Sequence, residues 1–166
     1  LGCGPGQTSQ YLKNLGLEIS GLDLSEEMLG QARRIHRDIP FQKGNILELD
    51  FEDDSMAGAV AFYAIVHFTE EQVETAFREV FRALKPGGLF LLTYHVGEDT
   101  IRLKEFLGRN IDIDFMFFTA DFIVRRLKES GFVTIETVER EPYPDIEYQS
   151  RRAYVFATKP ALQTSP

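Results

Sequence analysis

The sequence predicts an α/β fold, a mostly parallel sheet with helices on both faces. Three observations predict it. The chain opens on Gly2-Cys3-Gly4-Pro5-Gly6, a glycine loop that runs straight into a helical segment. About 17 residues after that loop, Gly21-Leu22-Asp23-Leu24-Ser25 reads as a strand ending on a carboxylate. Beyond it, apolar runs of strand length alternate with helical patterns. The glycines let the backbone turn sharply and approach a ligand, and a carboxylate at the next strand tip can accept both hydroxyls of a ribose. Together these features make the cofactor half of a Rossmann-like three-layer sandwich.

Each element follows from local signals. Gln7 to Leu15 reads as a short helix ending near Gly16, and Leu17 to Leu22 as a strand. Ser25 caps a helix to about His36, with Glu26 and Glu27 in the first turn, where the helix dipole favours acids. Phe41 to Lys43 is a short strand before Gly44-Asn45, and Ala57 to Tyr63 a buried one. Thr69 caps a helix to Leu84, with Gln72 at the capping-box position. Lys85-Pro86-Gly87-Gly88 reads as a tight turn into the apolar strand Leu89 to Tyr94. Thr100 to Gly108 reads as helical. Thr119 to Ser130 is a further helix closed by Gly131. Phe132 to Arg140 and Arg152 to Thr158 are strands joined by a loop short enough for an antiparallel pair.

A glycine loop of this type follows a strand, and Leu1 stands where that strand should be ending. Strand 1 is therefore expected to be missing from this chain, with a gap in the sheet, or a foreign segment, beside Leu1. Residues 1–160 read as one N-terminally incomplete domain and 161–166 as a frayed tail.

Composition narrows the function. The 166 residues are 43% hydrophobic and 27% charged, which suits one ordinary globular domain. A net charge of -8 argues against a nucleic-acid phosphate track. The pairs Arg33-Arg34, Arg125-Arg126 and Arg151-Arg152 read as solvated faces. No apolar run approaches the roughly 18 residues of a membrane span. The single Cys3 excludes an internal disulfide and suits a reducing cytoplasm. His36, His67 and His95 lack metal-ligand spacing, so no metal is expected.

At Gly2-Cys3-Gly4-Pro5-Gly6 the sequence resembles the class I S-adenosylmethionine-dependent methyltransferases, in particular small bacterial ones without large insertions. The likeness runs through Gly21 to Leu29, Gly44-Asn45-Ile46, Gly58 to Phe68 and Leu84 to Gly88. It implies a seven-stranded sheet in the order 3-2-1-4-5-7-6, with strand 7 antiparallel. It also implies S-adenosylmethionine as cofactor and S-adenosylhomocysteine as product. Gly2, Cys3, Gly4 and Gly6 would face the methionine part and Asp23 the ribose. Leu24 and Met28 would flank the adenine. Asn45 and Ile46 would contact its edge and ring, and Ala61 and Phe62 the methionine end. Asn45 stands where the family usually has Asp, so a charge-assisted bond becomes a neutral one. The acid that the family carries two residues before the first glycine lies outside this chain.

Two other readings were weighed. A nicotinamide-dependent oxidoreductase needs Gly-x-Gly-x-x-Gly, and here Gln7 occupies the third position. A non-catalytic S-adenosylmethionine-binding protein would keep the loop and lack an open cleft. For methyl transfer, a neutral oxygen or nitrogen acceptor calls for a general base. His67 is the first candidate and Tyr63 the second. His95, just after strand five, is placed at the same sheet edge, while His36 is expected to be exposed at a helix end. Phe115 to Phe118 would divide between core and cleft, and Tyr143, Tyr148 and Arg151 would overhang the pocket. Strand four ends in Ala61-Phe62-Tyr63-Ala64, unlike the Asn/Asp-Pro-Pro-aromatic run of nucleic-acid amino methylases. With the acidic charge, this points to a small-molecule acceptor.

Overall fold

A computed structural model describes residues 1–106 and 109–162. In chain order the elements are α1 (Gln7–Asn14), β1 (Gly21–Asp23), α2 (Glu26–Ile35), β2 (Phe41–Lys43), β3 (Met56–Phe62), α3 (Glu70–Ala83), β4 (Leu84–His95), β5 (Thr100–Phe106), β6 (Arg109–Met116), α4 (Ala120–Glu129), β7 (Val133–Arg140) and β8 (Arg152–Thr158).

The caps that the sequence announces are formed. Ser25 Oγ accepts the Met28 N–H at the start of α2, and Thr69 and Gln72 close a reciprocal capping box on α3. Thr119 caps α4 on Phe122, and Gly131 follows its end at φ 99°. Each such cap is worth about 1 kcal/mol, since it satisfies an N–H that the helix cannot.

The main sheet has the order β3-β4-β8-β7. β3 and β4 are parallel, whereas β8 runs antiparallel to both β4 and β7. Helices α3 and α4 pack together against it. Val73, Phe77 and Val80 of α3 and Ile123 and Leu127 of α4 are fully buried with Phe90, Leu92 and Val155. Burying one such side chain is worth about 1.5–3 kcal/mol. The parallel pair β1-β2 forms a second, two-stranded sheet under α2, with Leu29, Ala32, Ile39 and Phe41 as its core. Cys3 packs on this core, the small-residue role its sequence context suggests.

Among the described residues the strands form separate sheets and not one seven-stranded sheet. Between β1 and β3 lies a cavity of about 490 Å³, walled by Ile19–Leu22 on one side and Met56–Val60 on the other. Leu1 and Cys3 span its end. The Leu1 nitrogen donates to the Val60 carbonyl at 2.8 Å, and the Cys3 N–H to the Leu22 carbonyl at 2.9 Å. Alternate residues thus bond to opposite neighbours, as they do in a strand between two partners.

Three further expectations differ from the structure. Thr100–Phe106 is a strand, not a helix, and pairs with β6 in an antiparallel hairpin; residues 107 and 108 lie outside the described residues. The register places Ile101 opposite Phe115 and Leu103 opposite Ile113, so a period-two apolar face forms that a helix would scatter. On the other face Arg102 makes a bidentate pair with Asp112, at 2.6 Å for each bond. The tight turn Lys85–Gly88 is an excursion within β4, because Leu84 already pairs with Met56 and Leu89 resumes at Gly58. His36 is half-buried, with Nδ1 3.0 Å from Gln10 Oε1, not exposed. Of the expected tail, residues 163–166 lie outside the described residues.

Candidate functional site

The glycine loop and the β1 tip are joined directly. Asp23 Oδ2 accepts the Gly4 N–H at 2.7 Å, and its Oδ1 accepts the Ser25 N–H at 2.9 Å. Each oxygen keeps a lone pair for a further donor. Gly2 has φ 61°, and a Cβ there would meet Ala64 Cβ at 2.6 Å. Gly4 has φ 52°, and a Cβ there would meet nothing within 4 Å. One glycine is demanded by packing against the end of β3; the other faces open space. Gly6 begins α1 in the left-handed conformation.

Leu24 follows Asp23, and the Gly44 N–H, one residue before Asn45, donates to the Asp23 carbonyl at 3.0 Å. Leu24 and Met28 are 64% and 40% exposed, and Ile46 is buried. Asn45 Oδ1 accepts the Leu47 N–H at 3.0 Å, closing a turn that holds Ile46 in place. Ala61 is buried in β3, and Phe62 is 39% exposed at its end. Exposed apolar surface, a carboxylate with spare acceptor capacity and an open Gly4 fit an adenosyl cofactor. The large cavity is not this surface: it touches Gly2, Gly4 and Phe62 but none of Asp23, Asn45 and Ile46.

The histidines and Tyr63 occupy different settings. His67 is exposed, its Nδ1 2.9 Å from the Asp114 carbonyl and its ring edge-on to Phe115 at 4.6 Å. It therefore ties the end of β3 to the hairpin. Tyr63 has φ 54°, held by its N–H donating to both Thr93 oxygens. A non-glycine residue in that region stores strain, which functional sites often carry. The Tyr63 hydroxyl is buried, faces Tyr154 and Arg152, and forms no hydrogen bond of good geometry with either. Burial, then Tyr154, pushes its pKa up to about 12. At neutral pH Tyr63 is thus a phenol that donates, not a base.

His95 ends β4. Its ring stacks between Tyr63 at 4.9 Å and Phe117 at 5.3 Å, and its Nδ1 lies 2.7 Å from Ser150 Oγ. Burial, then the Arg152 charge, lowers its pKa from the ordinary histidine value. Phe118 is buried, while Phe115, Met116 and Phe117 are half-buried. Tyr143 and Tyr148 are exposed on the loop between β7 and β8. Arg151 turns outward to Glu139 and Glu141. The Arg151-Arg152 pair is a solvated face only at Arg151: Arg152 is buried, its Nη1 held by the Tyr148 and Ser150 carbonyls, and neither Ser150 nor Arg140 stands out in the sequence. Among the described residues no three His, Cys, Asp or Glu side chains converge as a metal site would require.

Comparison with known proteins accords with this geometry. Residues 1–88 match the family described as methyltransferase domain. A probable S-adenosylmethionine-dependent methyltransferase of Mycolicibacterium smegmatis is 30% identical over 143 residues, which cover 82% of this chain and 52% of that protein. A malonyl-[acyl-carrier protein] O-methyltransferase of Erwinia billingiae is 36% identical over 92 residues, covering 55% of this chain and 36% of that one. The chain thus spans about half, or less, of the length of these relatives. A crystal structure of an S-adenosylmethionine-dependent methyltransferase from Methanosarcina mazei superposes with a TM-score of 0.86 at 20% identity, covering 96% of this chain and 90% of that one. The fold is therefore the Rossmann-like fold of that class. The chain belongs to the methyltransferase-domain family, a family of enzymes whose cofactor is S-adenosylmethionine.

Proposed function

We propose that the protein transfers a methyl group from S-adenosylmethionine to a small-molecule acceptor. The observation that supports this best is the Asp23–Gly4 bond, which sets a ribose-accepting carboxylate against an open glycine loop. In this reading Gly2, Cys3, Gly4 and Gly6 flank the methionine part and Asp23 takes the ribose hydroxyls. Leu24, Met28, Asn45 and Ile46 enclose the adenine, and Ala61 and Phe62 stand at the methionine end. The bound cofactor supplies an activated methyl on a sulfonium; the residues of the chain align, shield and manage the acceptor proton. Tyr63 donates from its neutral phenol. His67, exposed on the same edge, is a base candidate for a neutral acceptor. The acidic chain and the absence of a nucleic-acid methylase signature after β3 support a small acceptor.

Thermal-shift titration tests the reading. At about a hundred times its dissociation constant, S-adenosylmethionine or S-adenosylhomocysteine adds roughly 2.7 kcal/mol, a rise of about 5–10 °C. A shift with both adenosyl ligands and none with NAD is expected. A shift with NAD alone would overturn it. Adenosyl binding without turnover across an acceptor panel would favour a non-catalytic binding protein.

A further inference from the structure

The register of the main sheet lines up one row of side chains at the carboxyl ends of β3 and β4. His95 of β4 lies directly opposite Arg152 of β8, and Arg152 lies directly opposite Arg140 of β7. Opposed residues on antiparallel strands share a face. Tyr154, two residues along β8, is on that face too and accepts from Arg140 Nε at 3.1 Å. Tyr63 joins the row from the end of β3 through its stack on His95.

The charges in this row do not cancel. Arg140 grips Glu147 through both guanidinium nitrogens at 2.8 Å, and the Tyr143 N–H also donates to Glu147. Arg152 reaches the same carboxylate only at 3.6 Å. Two guanidiniums thus face one carboxylate, on a chain whose net charge is -8. Arg152 is nevertheless 5% exposed. Its Nη1 donates to the Tyr148 and Ser150 carbonyls, while its Nε and Nη2 make no hydrogen bond among the described residues. That unused edge is not one of the buried polar atoms left without a partner, so it is open to solvent and to a ligand that reaches it. Flat aromatic walls stand beside it: Tyr63 and Phe117 sandwich His95, and Tyr148 meets both His95 and Phe117 edge-on.

We propose that this row is the acceptor subsite and that it takes a carboxylate-bearing, planar small molecule, its carboxylate on the free edge of Arg152 and its body against Tyr63, Phe117 and Tyr148. One excess positive charge matches one carboxylate, and a guanidinium fork matches its two oxygens. Ser150 holds Nδ1 of His95, which leaves Nε2 for the ligand. The subsite lies at the sheet edge where open α/β folds bind ligands, next to Tyr63 and hence to the glycine loop. The assignment rests on the methyltransferase reading for its role, and on the register and charges alone for its ligand.

The test is an NMR titration of the chain with labelled histidine, using benzoate, its neutral methyl ester and inorganic phosphate as probes. Benzoate is expected to shift the His95 resonances along a saturable curve, with the methyl ester at least tenfold weaker. Arg152→Gln should weaken benzoate at least tenfold and leave S-adenosylhomocysteine binding unchanged. If that variant does not fold, Arg152→Lys should weaken benzoate while keeping its preference over the ester. Equal binding of ester and benzoate, no saturable shift, or phosphate binding as tightly as benzoate would each overturn the assignment. Loss of S-adenosylhomocysteine binding in the unaltered chain, with benzoate still bound, would count against the methyltransferase reading and not against this subsite.

Discussion

The Asp23 carboxylate accepts the Gly4 N–H at 2.7 Å and so fastens the tip of β1 to the middle of the glycine loop. Its other oxygen fastens the start of α2 through Ser25. Asp23→Ala removes both bonds and leaves two backbone donors unpaired. A loss of about 1–3 kcal/mol is expected, readable by urea denaturation, with S-adenosylhomocysteine binding falling at least tenfold by calorimetry. Binding that survives intact would remove Asp23 from the cofactor site.

The two loop glycines should separate packing from ligand contact. Gly2→Ala drives a methyl to 2.6 Å from Ala64 Cβ and should lower the melting temperature with or without ligand. Gly4→Ala meets no protein atom within 4 Å, so beyond a backbone strain of about 1 kcal/mol its main effect should be on adenosyl binding. Equal losses of binding at equal losses of stability would refute the distinction.

Acid should destabilise the protein in two windows. Burial and Arg152 hold His95 below its ordinary value of 6.5, with Glu147 opposing weakly. Tyr63, Phe117, Tyr148 and Ser150 also face the ring. The unfolded chain then takes up this proton first. Stability from neutral His95 is complete above about pH 6.5 and is lost as pH falls through the lower folded value. His95→Asn should flatten the stability profile in that range. Arg140, then the Tyr143 N–H, holds Glu147 down to about 2. That contribution is present above its ordinary 4.5 and fades only as pH falls through about 2. Glu147→Gln should remove the second window and, by taking away a charge that raises the His95 pKa, move the end of the first to lower pH.

The inter-sheet cavity should accept an extended segment. A strand of alternating Val and Thr fused ahead of Leu1 would find the β1 and β3 edges on either side and is expected to raise the melting temperature. Hydrogen-exchange protection should rise at Ile19–Leu22 and Ala57–Val60, the cavity walls. An inserted strand that leaves both walls exchanging as before would show that the cavity is not a strand slot.

Most of the fold was legible because its signals are local. Ser25 and the Thr69–Gln72 pair mark helix starts by side-chain hydrogen bonds within four residues, and Gly131 marks a helix end by its positive φ. The β5 segment reads as a helix although its strand signal is present: Ile111, Ile113 and Phe115 alternate with Asp112 and Asp114, and Ile101 and Leu103 flank Arg102. The charged residues between them also suit a solvated helix, so only the pairing decides. The glycine loop and Asp23 were legible as a motif. The Arg140–Arg152–His95 row was not, because it exists only through the register of three strands that the chain reaches at widely separated points.

The residues proposed for the cofactor are divided between the two sheets. Asp23, Leu24 and Met28 lie at the end of β1 and the start of α2, whereas Ala61, Phe62 and Tyr63 lie at the end of β3. The Leu1–Val60 and Cys3–Leu22 bonds span the end of the cavity between these walls, and Leu22 and Ile46 pack into the core of the main sheet. A ligand touching both groups would therefore act as a clasp, and part of its binding energy would go into setting the spacing of the two halves. Affinity for the adenosyl group then becomes a gauge of how stiffly the halves are held, and a change deep in the cavity could be read out at the cofactor without touching it.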